Sequence, residues 1–209
     1  MSWDLESYGT MLDAARDYRF VHFDHEPREG DIFLRHDVDL ALAAAVEMAE
    51  LEAARGVSAT YFLMTRSVFY NLASPDGERA LRRLRELGHR VGLHALYPHV
   101  DLDERFDPVL AWHNPDAEFM SEPIEGLVNV MSPPWFDPAH YRSDSNQSWR
   151  SGDQSAALAA HEFEWLQLLT HPEIWAYAGT TMRETMESML AANREASWQQ
   201  LEEDRIDLS

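Results

Sequence analysis

The sequence predicts an α/β protein built on parallel strands, because strand-like apolar runs alternate with helical patterns along the first half of the chain. The expected elements are strands at 18–24, 31–36, 58–64 and 90–94 and helices at 40–55 and 77–87. Strand–helix–strand order implies parallel strands joined by right-handed crossovers. The 209 residues contain no repeat and no long Gly/Ser linker, which favours one domain spanning residues 1–209.

The helices are indicated by apolar residues at helical spacing and by residues that favour helix ends. Residues 2–17 have this spacing, with Ser2 in position to cap the helix. The Ala-rich helix at 40–55 should end at Gly56, and the helix at 77–87 at Gly88.

The second half is expected to be less regular and to close with a long helix. The expected elements are strands at 109–112, 127–131 and 164–169, a short helix at 156–161 and a helix at 181–204. This last helix should turn Met182, Met186, Met189 and Leu190 inward, with charged residues covering its other face. The segment 101–107 is long enough for one helical turn at most.

The most informative motif is Arg35-His36-Asp37-Val38-Asp39, which follows the strand-like run 31–34. Catalytic groups of parallel α/β proteins gather at the C-terminal ends of strands. Neighbouring carboxylates repel each other, so one must be neutralised or must hold a cation. His94 and His99 follow the next polar strand end, and His171 follows a late apolar run. Together these residues indicate a mononuclear metal hydrolase site.

The metal must take oxygen and nitrogen ligands, because the chain contains no cysteine. Such ligands suit Zn²⁺, our first expectation, and also Fe, Co, Ni or Mn. Two histidines and one carboxylate would leave open positions for water and a carbonyl oxygen.

The charge and the apolar pattern limit the partners. Seventeen arginines, no lysines and 37 acids give a net charge of −20, which disfavours nucleic acids and anionic membranes. No apolar run reaches 18 residues, and residues 1–6 lack signal-peptide features, so a cytoplasmic protein is expected. The excess of acids suggests adaptation to high salt, whereas codon bias alone would explain only the missing lysines. The oligomeric state is left open.

We expect the melting temperature to rise between 0.1 and 2 M KCl. The repulsion among acids that produce a net charge of −20 is screened as the Debye length falls from about 10 Å at 0.1 M to about 3 Å at 1 M. Thermal melts test this, and a flat or falling melting temperature would reject salt adaptation.

Several strings of the chain, taken together and in order, resemble the polysaccharide deacetylases. They are 34–39 (LRHDVD), 59–63 (ATYFL), 69–71 (FYN), 87–94 (LGHRVGLH), 141–145 (YRSDS) and 168–175 (LLTHPEIW). The similarity is greatest to the HDVD-containing branch, which includes proteins of O-antigen loci. It implies a distorted, incomplete (β/α) barrel of fewer than eight strands and metal-dependent removal of an N- or O-acetyl group from a sugar or sugar conjugate.

The resemblance also implies roles for individual residues. Asp37 matches the catalytic base and His171 the histidine that protonates the leaving group. Asp39, His94 and His99 match the metal ligands, although His99 lies one residue further from His94 than the family spacing. Asp144 is a plausible partner for His171.

The chain departs from the family pattern at the third motif. The family places an arginine beside paired prolines there, whereas this chain has His113 followed by Asn114 and Pro115. Either Arg35 replaces that arginine or the base is held differently. Two interpretations of His113 stay open, a substrate or metal contact and a residue that packs in a loop. Two alternatives to deacetylation stay open, another metal-dependent C–N amide hydrolase and a non-catalytic carbohydrate-binding relative.

Overall fold

The computed structural model describes residues 2–101 and 104–206, whose strands form one parallel sheet curled into an open half-barrel. The strands are β1 (Arg19–Val21), β2 (Asp31–Val38), β3 (Thr60–Leu63), β4 (Arg90–Ala95), β5 (Val109–Trp112), β6 (Val128–Asn129), β7 (Tyr141–Ser143) and β8 (Leu166–Thr170). Seven of them lie in the order β6-β5-β4-β3-β2-β8-β7, and β1 pairs with the first half of β2. The predicted α/β class with a parallel sheet is therefore confirmed.

Six α-helices accompany these strands in the described part of the chain. They are α1 (Leu5–Ala14), α2 (Leu42–Ala53), α3 (Pro75–Glu86), α4 (Gln154–Ala159), α5 (Pro172–Ala176) and α6 (Met182–Glu203). The side chain of Asp4, rather than that of Ser2, caps α1 by accepting a hydrogen bond from the Ser7 amide. Gly56 follows α2 with a φ of 70°, as its predicted role as a terminator requires. None of these helices combines the length and the apolar composition needed to cross a membrane.

The central strand β2 is buried on both faces, and its side chains alternate between two environments. Ile32 and Leu34 pack into the core beneath the helices, while Phe33 belongs to a cluster on the opposite, inner face of the curled sheet. Arg35 and Asp37 share the parity of Phe33 and therefore point to the inner face.

His36 has the opposite parity and lies in a polar cluster on the helix side of the sheet. Its Nε2 is 2.8 Å from Oε1 of the fully buried Glu52, and its Nδ1 is 2.7 Å from Oγ1 of Thr170. The hydroxyl groups of Tyr8 and Tyr61 also donate to the Glu52 carboxylate, at 2.5 and 2.8 Å. Burial raises the pKa of Glu52, but the ion pair with His36 outweighs this and lowers it. His36 is therefore occupied away from the inner face.

The sequence prediction differs from the structure at several elements of the second half. Strand β7 and helix α5 were not expected, and α4 begins two residues before the predicted helix. Met189 is buried as predicted, but Leu190 is 53% exposed and does not face the core. Between β4 and β5 the described residues contain no helix, in agreement with the prediction of one turn at most, although residues 102 and 103 lie outside the described part.

Candidate metal centre

Three side chains at the C-terminal ends of three parallel strands of the sheet converge at one point. Asp39 comes directly after β2, His94 lies near the end of β4, and His113 comes directly after β5. Asp39 Oδ1 is 3.0 Å from His94 Nε2 and 3.1 Å from His113 Nδ1, and the two nitrogen atoms are 3.1 Å apart. Within the described residues this is a group that could hold a metal ion.

The donor atoms of this group suit a cation between them. Nδ1 of His94 is 3.0 Å from the carbonyl oxygen of Ala111, and in the tautomer that donates to this carbonyl the Nε2 lone pair is available to a metal ion. Ligand atoms about 2.0–2.2 Å from one divalent ion lie about 3 Å apart when their bond angles are near 90°. The observed separations match that spacing.

The electrostatics of the group favour a bound cation as well. Burial raises the pKa of Asp39, but hydrogen bonds with His113 and His94 outweigh this effect and hold it well below its usual value. The same hydrogen bond to Asp39 raises the pKa of His113. Asp39 is thus a carboxylate at neutral pH, and a proton on His113 would compete with a metal ion.

His99, predicted from the sequence as the third ligand, does not belong to this group; His113 takes that position. The physical reason is sheet topology. β5 pairs directly with β4, so the residue after β5 lies beside His94, and the His113 amide donates to the Ala95 carbonyl. His99 is exposed in the loop after β4, where its amide bonds back to Leu96.

Asp37 lies beside the group and is held by Arg35. The Arg35 guanidinium donates two hydrogen bonds to the Asp37 carboxylate, from Nε at 2.8 Å and from Nη2 at 2.6 Å, and a third to Gln167. Asp37 Oδ2 is 3.7 Å from His94 Nε2. Burial raises the pKa of Asp37, but Arg35 and then His94 lower it further than burial raises it. Of the two ways to hold Asp37 that the sequence left open, the geometry matches the one through Arg35.

His171 and Asp144, which the sequence paired, are in direct contact. Nδ1 of His171 is 2.6 Å from Asp144 Oδ1, while the His171 amide and the Trp175 indole both donate to Oδ2. Burial lowers the pKa of His171, but the Asp144 carboxylate raises it more, to about 10. His171 therefore carries a proton at neutral pH.

We expect Asp144→Asn to lower the pKa of His171 by several units. The variant loses the carboxylate that raises the pKa of His171, while burial, which lowers this pKa, remains. NMR titration of the imidazole in metal-free protein measures this change. Glu195→Gln, which removes one charge from the exposed surface of α6, is the control and should leave the pKa unchanged. A similar titration of His171 in wild type and Asp144→Asn would contradict the pairing.

A cavity of about 340 Å³ joins these groups, since Asp39, His113 and His171 all line it. Glu173 also lines the cavity and was missed by the sequence analysis. Its Oε2 is buried and has no hydrogen-bond partner within the described residues, and burial raises its pKa to about 8. The only signal for it in the sequence is its position two residues after His171.

Comparisons with protein-family models, with curated proteins and with solved structures returned no match. The parallel half-barrel and its buried His/Asp cluster are consequently established by the structure alone.

Proposed function

We propose that this chain is a metal-dependent hydrolase that removes an acetyl group from a sugar or sugar conjugate. The observation that carries the proposal is the shared cavity. The Asp39–His94–His113 group, which could hold a metal ion, and His171, a histidine held in its protonated form, open onto the same space. Metal-dependent hydrolysis of an amide uses both kinds of group, a Lewis acid for the carbonyl oxygen and a proton donor for the leaving group.

Each group contributes a separate function to the proposed reaction. Asp39, His94 and His113 would hold a divalent ion, with Zn²⁺ the first choice for such ligands, and the ion would supply Lewis-acid stabilisation of charge on the acetyl oxygen. Asp37, which is ionised and oriented by Arg35, accepts a proton from the attacking water.

His171 supplies the opposite proton transfer. It starts protonated, with Asp144 on Nδ1 stabilising the charged ring and orienting it, and Nε2 then donates its proton to the nitrogen or oxygen that leaves. The cavity volume of about 340 Å³ falls at the lower end of the range for small-molecule sites, which agrees with one sugar unit. Apolar Met64 and Phe69 and polar Asn114 share its lining, a mixture suited to an acetyl methyl group and sugar hydroxyls.

The test is acetate release from a panel of N- and O-acetylated sugars and sugar conjugates. Protein stripped with a chelator and reloaded with Zn²⁺, Co²⁺, Mn²⁺, Ni²⁺ or Fe²⁺ should release acetate, whereas the stripped protein should not. Release of an amine from other amides, without acetate, would replace the deacetylase proposal with a different C–N hydrolase. Binding of acetylated sugars without turnover by any metal form would indicate a non-catalytic protein.

A further inference from the structure

A second cavity, of about 390 Å³, lies at the outer edge of the sheet beside strand β7. Two arginines, Arg142 and Arg150, line it together with the hydroxyl groups of Ser143, Ser145 and Ser151. Within the described residues its lining contains no Asp or Glu. A cavity lined by cations and hydroxyl donors is unusual on a protein with a net charge of −20.

The two arginines are also not neutralised by acids elsewhere. Most arginines of the described chain pair with a carboxylate, including Arg19, Arg66 and Arg90. Arg150 is exposed and has no ion pair among the described residues. Arg142 uses Nη1 to bind the backbone carbonyls of Ala139 and Tyr141, which fixes its guanidinium without reducing its charge.

Hydrogen-bond donors at this cavity lack acceptors. Apart from His36 Nε2, which contacts Glu52, four buried side-chain nitrogen or oxygen atoms in the described residues lack a hydrogen-bond partner, and two of them belong to residues lining this cavity. They are Nε of Arg142 and Nε1 of Trp149, and both can only donate. Positive charge and donors without acceptors together favour a ligand that is negatively charged and accepts hydrogen bonds.

The two cavities are adjacent, because Ser145 lines both of them. Ser145 comes just after β7, where its hydroxyl group is 2.6 Å from that of Ser143 and its amide donates to the same Ser143 oxygen. Asp144, between these serines, holds His171 in the first cavity. A ligand that extends past Ser145 would therefore contact both the catalytic groups and the arginines.

We propose that the second cavity is an anion subsite that binds the phosphate or diphosphate of a sugar conjugate whose acetylated sugar occupies the first cavity. Only the placement of the acetylated sugar in the first cavity rests on the proposed function. Phosphate oxygens match arginine donors in charge and geometry, and hydroxyl groups supply further donors. The preferred substrate class is then a glycosyl phosphate or diphosphate rather than a neutral polysaccharide.

Calorimetric titration with inorganic pyrophosphate tests the subsite without any catalytic assay. The titration is done in 0.15 M NaCl, where the Debye length of about 8 Å screens the distant acids. Wild-type protein should bind pyrophosphate, and Arg150→Met should weaken binding about tenfold, as expected for loss of a charge-assisted contact. Arg194→Met, which removes one exposed arginine from α6, should change it little. No binding, or equal weakening in both variants, would overturn the subsite.

Kinetics then distinguish a substrate phosphate from a free phosphate. Arg150→Met should raise KM for an acetylated glycosyl phosphate about tenfold and leave kcat and the KM of the matching neutral sugar unchanged. Equal effects on the two sugars would show that the anion is a separate ligand and would overturn the conjugate proposal. If neither sugar is turned over while pyrophosphate still binds at Arg150, the hydrolase proposal fails and the anion subsite stands.

Discussion

Replacing Asp37 with asparagine should reduce kcat for deacetylation by about 10²–10⁴-fold, the usual contribution of a general base. The amide keeps the shape of the side chain but cannot accept a proton. The amide oxygen of the new asparagine can still accept a hydrogen bond from Arg35. The contact between residues 35 and 37 should therefore weaken, but no cavity should form. The measurement is the single-turnover rate of acetate release, with metal affinity determined by calorimetry on the same preparation.

Asp31→Asn is the matched control, because Asp31 is a second buried carboxylate on β2 that also pairs with an arginine. It lies at the opposite end of the strand from Asp39. This variant should be less stable but retain kcat. A near-normal kcat in Asp37→Asn would exclude the role as base. If kcat and metal affinity fall together, Asp37 is a metal ligand instead.

The fold class was predictable because it depends on patterns that are local in the sequence. The alternation of strand-like runs with amphipathic helices between residues 31 and 94 is sufficient to imply parallel strands, and the structure has them. Strand β7 is only three residues long, and α5 begins at Pro172, separated from β8 by His171 alone. Such short elements are stabilised by pairing and packing rather than by their own periodicity, so the sequence could not reveal them.

The candidate site was only partly predictable, because its members come from three strands whose order in the sheet is set by the fold. Asp39 and His94 could be found from the strands that precede them. His113 and His99 could not be separated by spacing, since the pairing of β5 with β4 decides which histidine meets Asp39. That pairing is tertiary information.

The motif at residues 35–37 also did not predict which side of the sheet each of its residues faces. Arg35, His36 and Asp37 are consecutive, yet the twofold alternation of a strand sends His36 to Glu52 and its neighbours to the inner face. The polar residues at this strand end thus belong to two separate clusters, one on each side of the sheet. One builds the candidate active site, and the other forms a buried ion pair that anchors α2 behind it.

Metal affinity should fall at least about 100-fold in His113→Ala and in His94→Ala. Loss of groups that merely orient a ligand already costs about 10–100-fold, and each of these substitutions removes a nitrogen that lies 3.0–3.1 Å from Asp39 Oδ1. Titration of chelator-stripped protein with Zn²⁺ measures the affinity. Binding must displace any proton on His113, whose pKa Asp39 raises, so wild-type affinity should also weaken as the pH falls.

His99→Ala provides the control, since it removes an exposed histidine from the loop that follows the same strand as His94. Its affinity should remain within a few-fold of wild type. The opposite pattern, with His99→Ala losing the metal and His113→Ala retaining it, would reinstate the ligand that the family spacing suggested. Wild-type affinity in all three variants would mean that Asp39, His94 and His113 form a hydrogen-bonded cluster rather than a metal centre, and the proposed hydrolase would lose its Lewis acid.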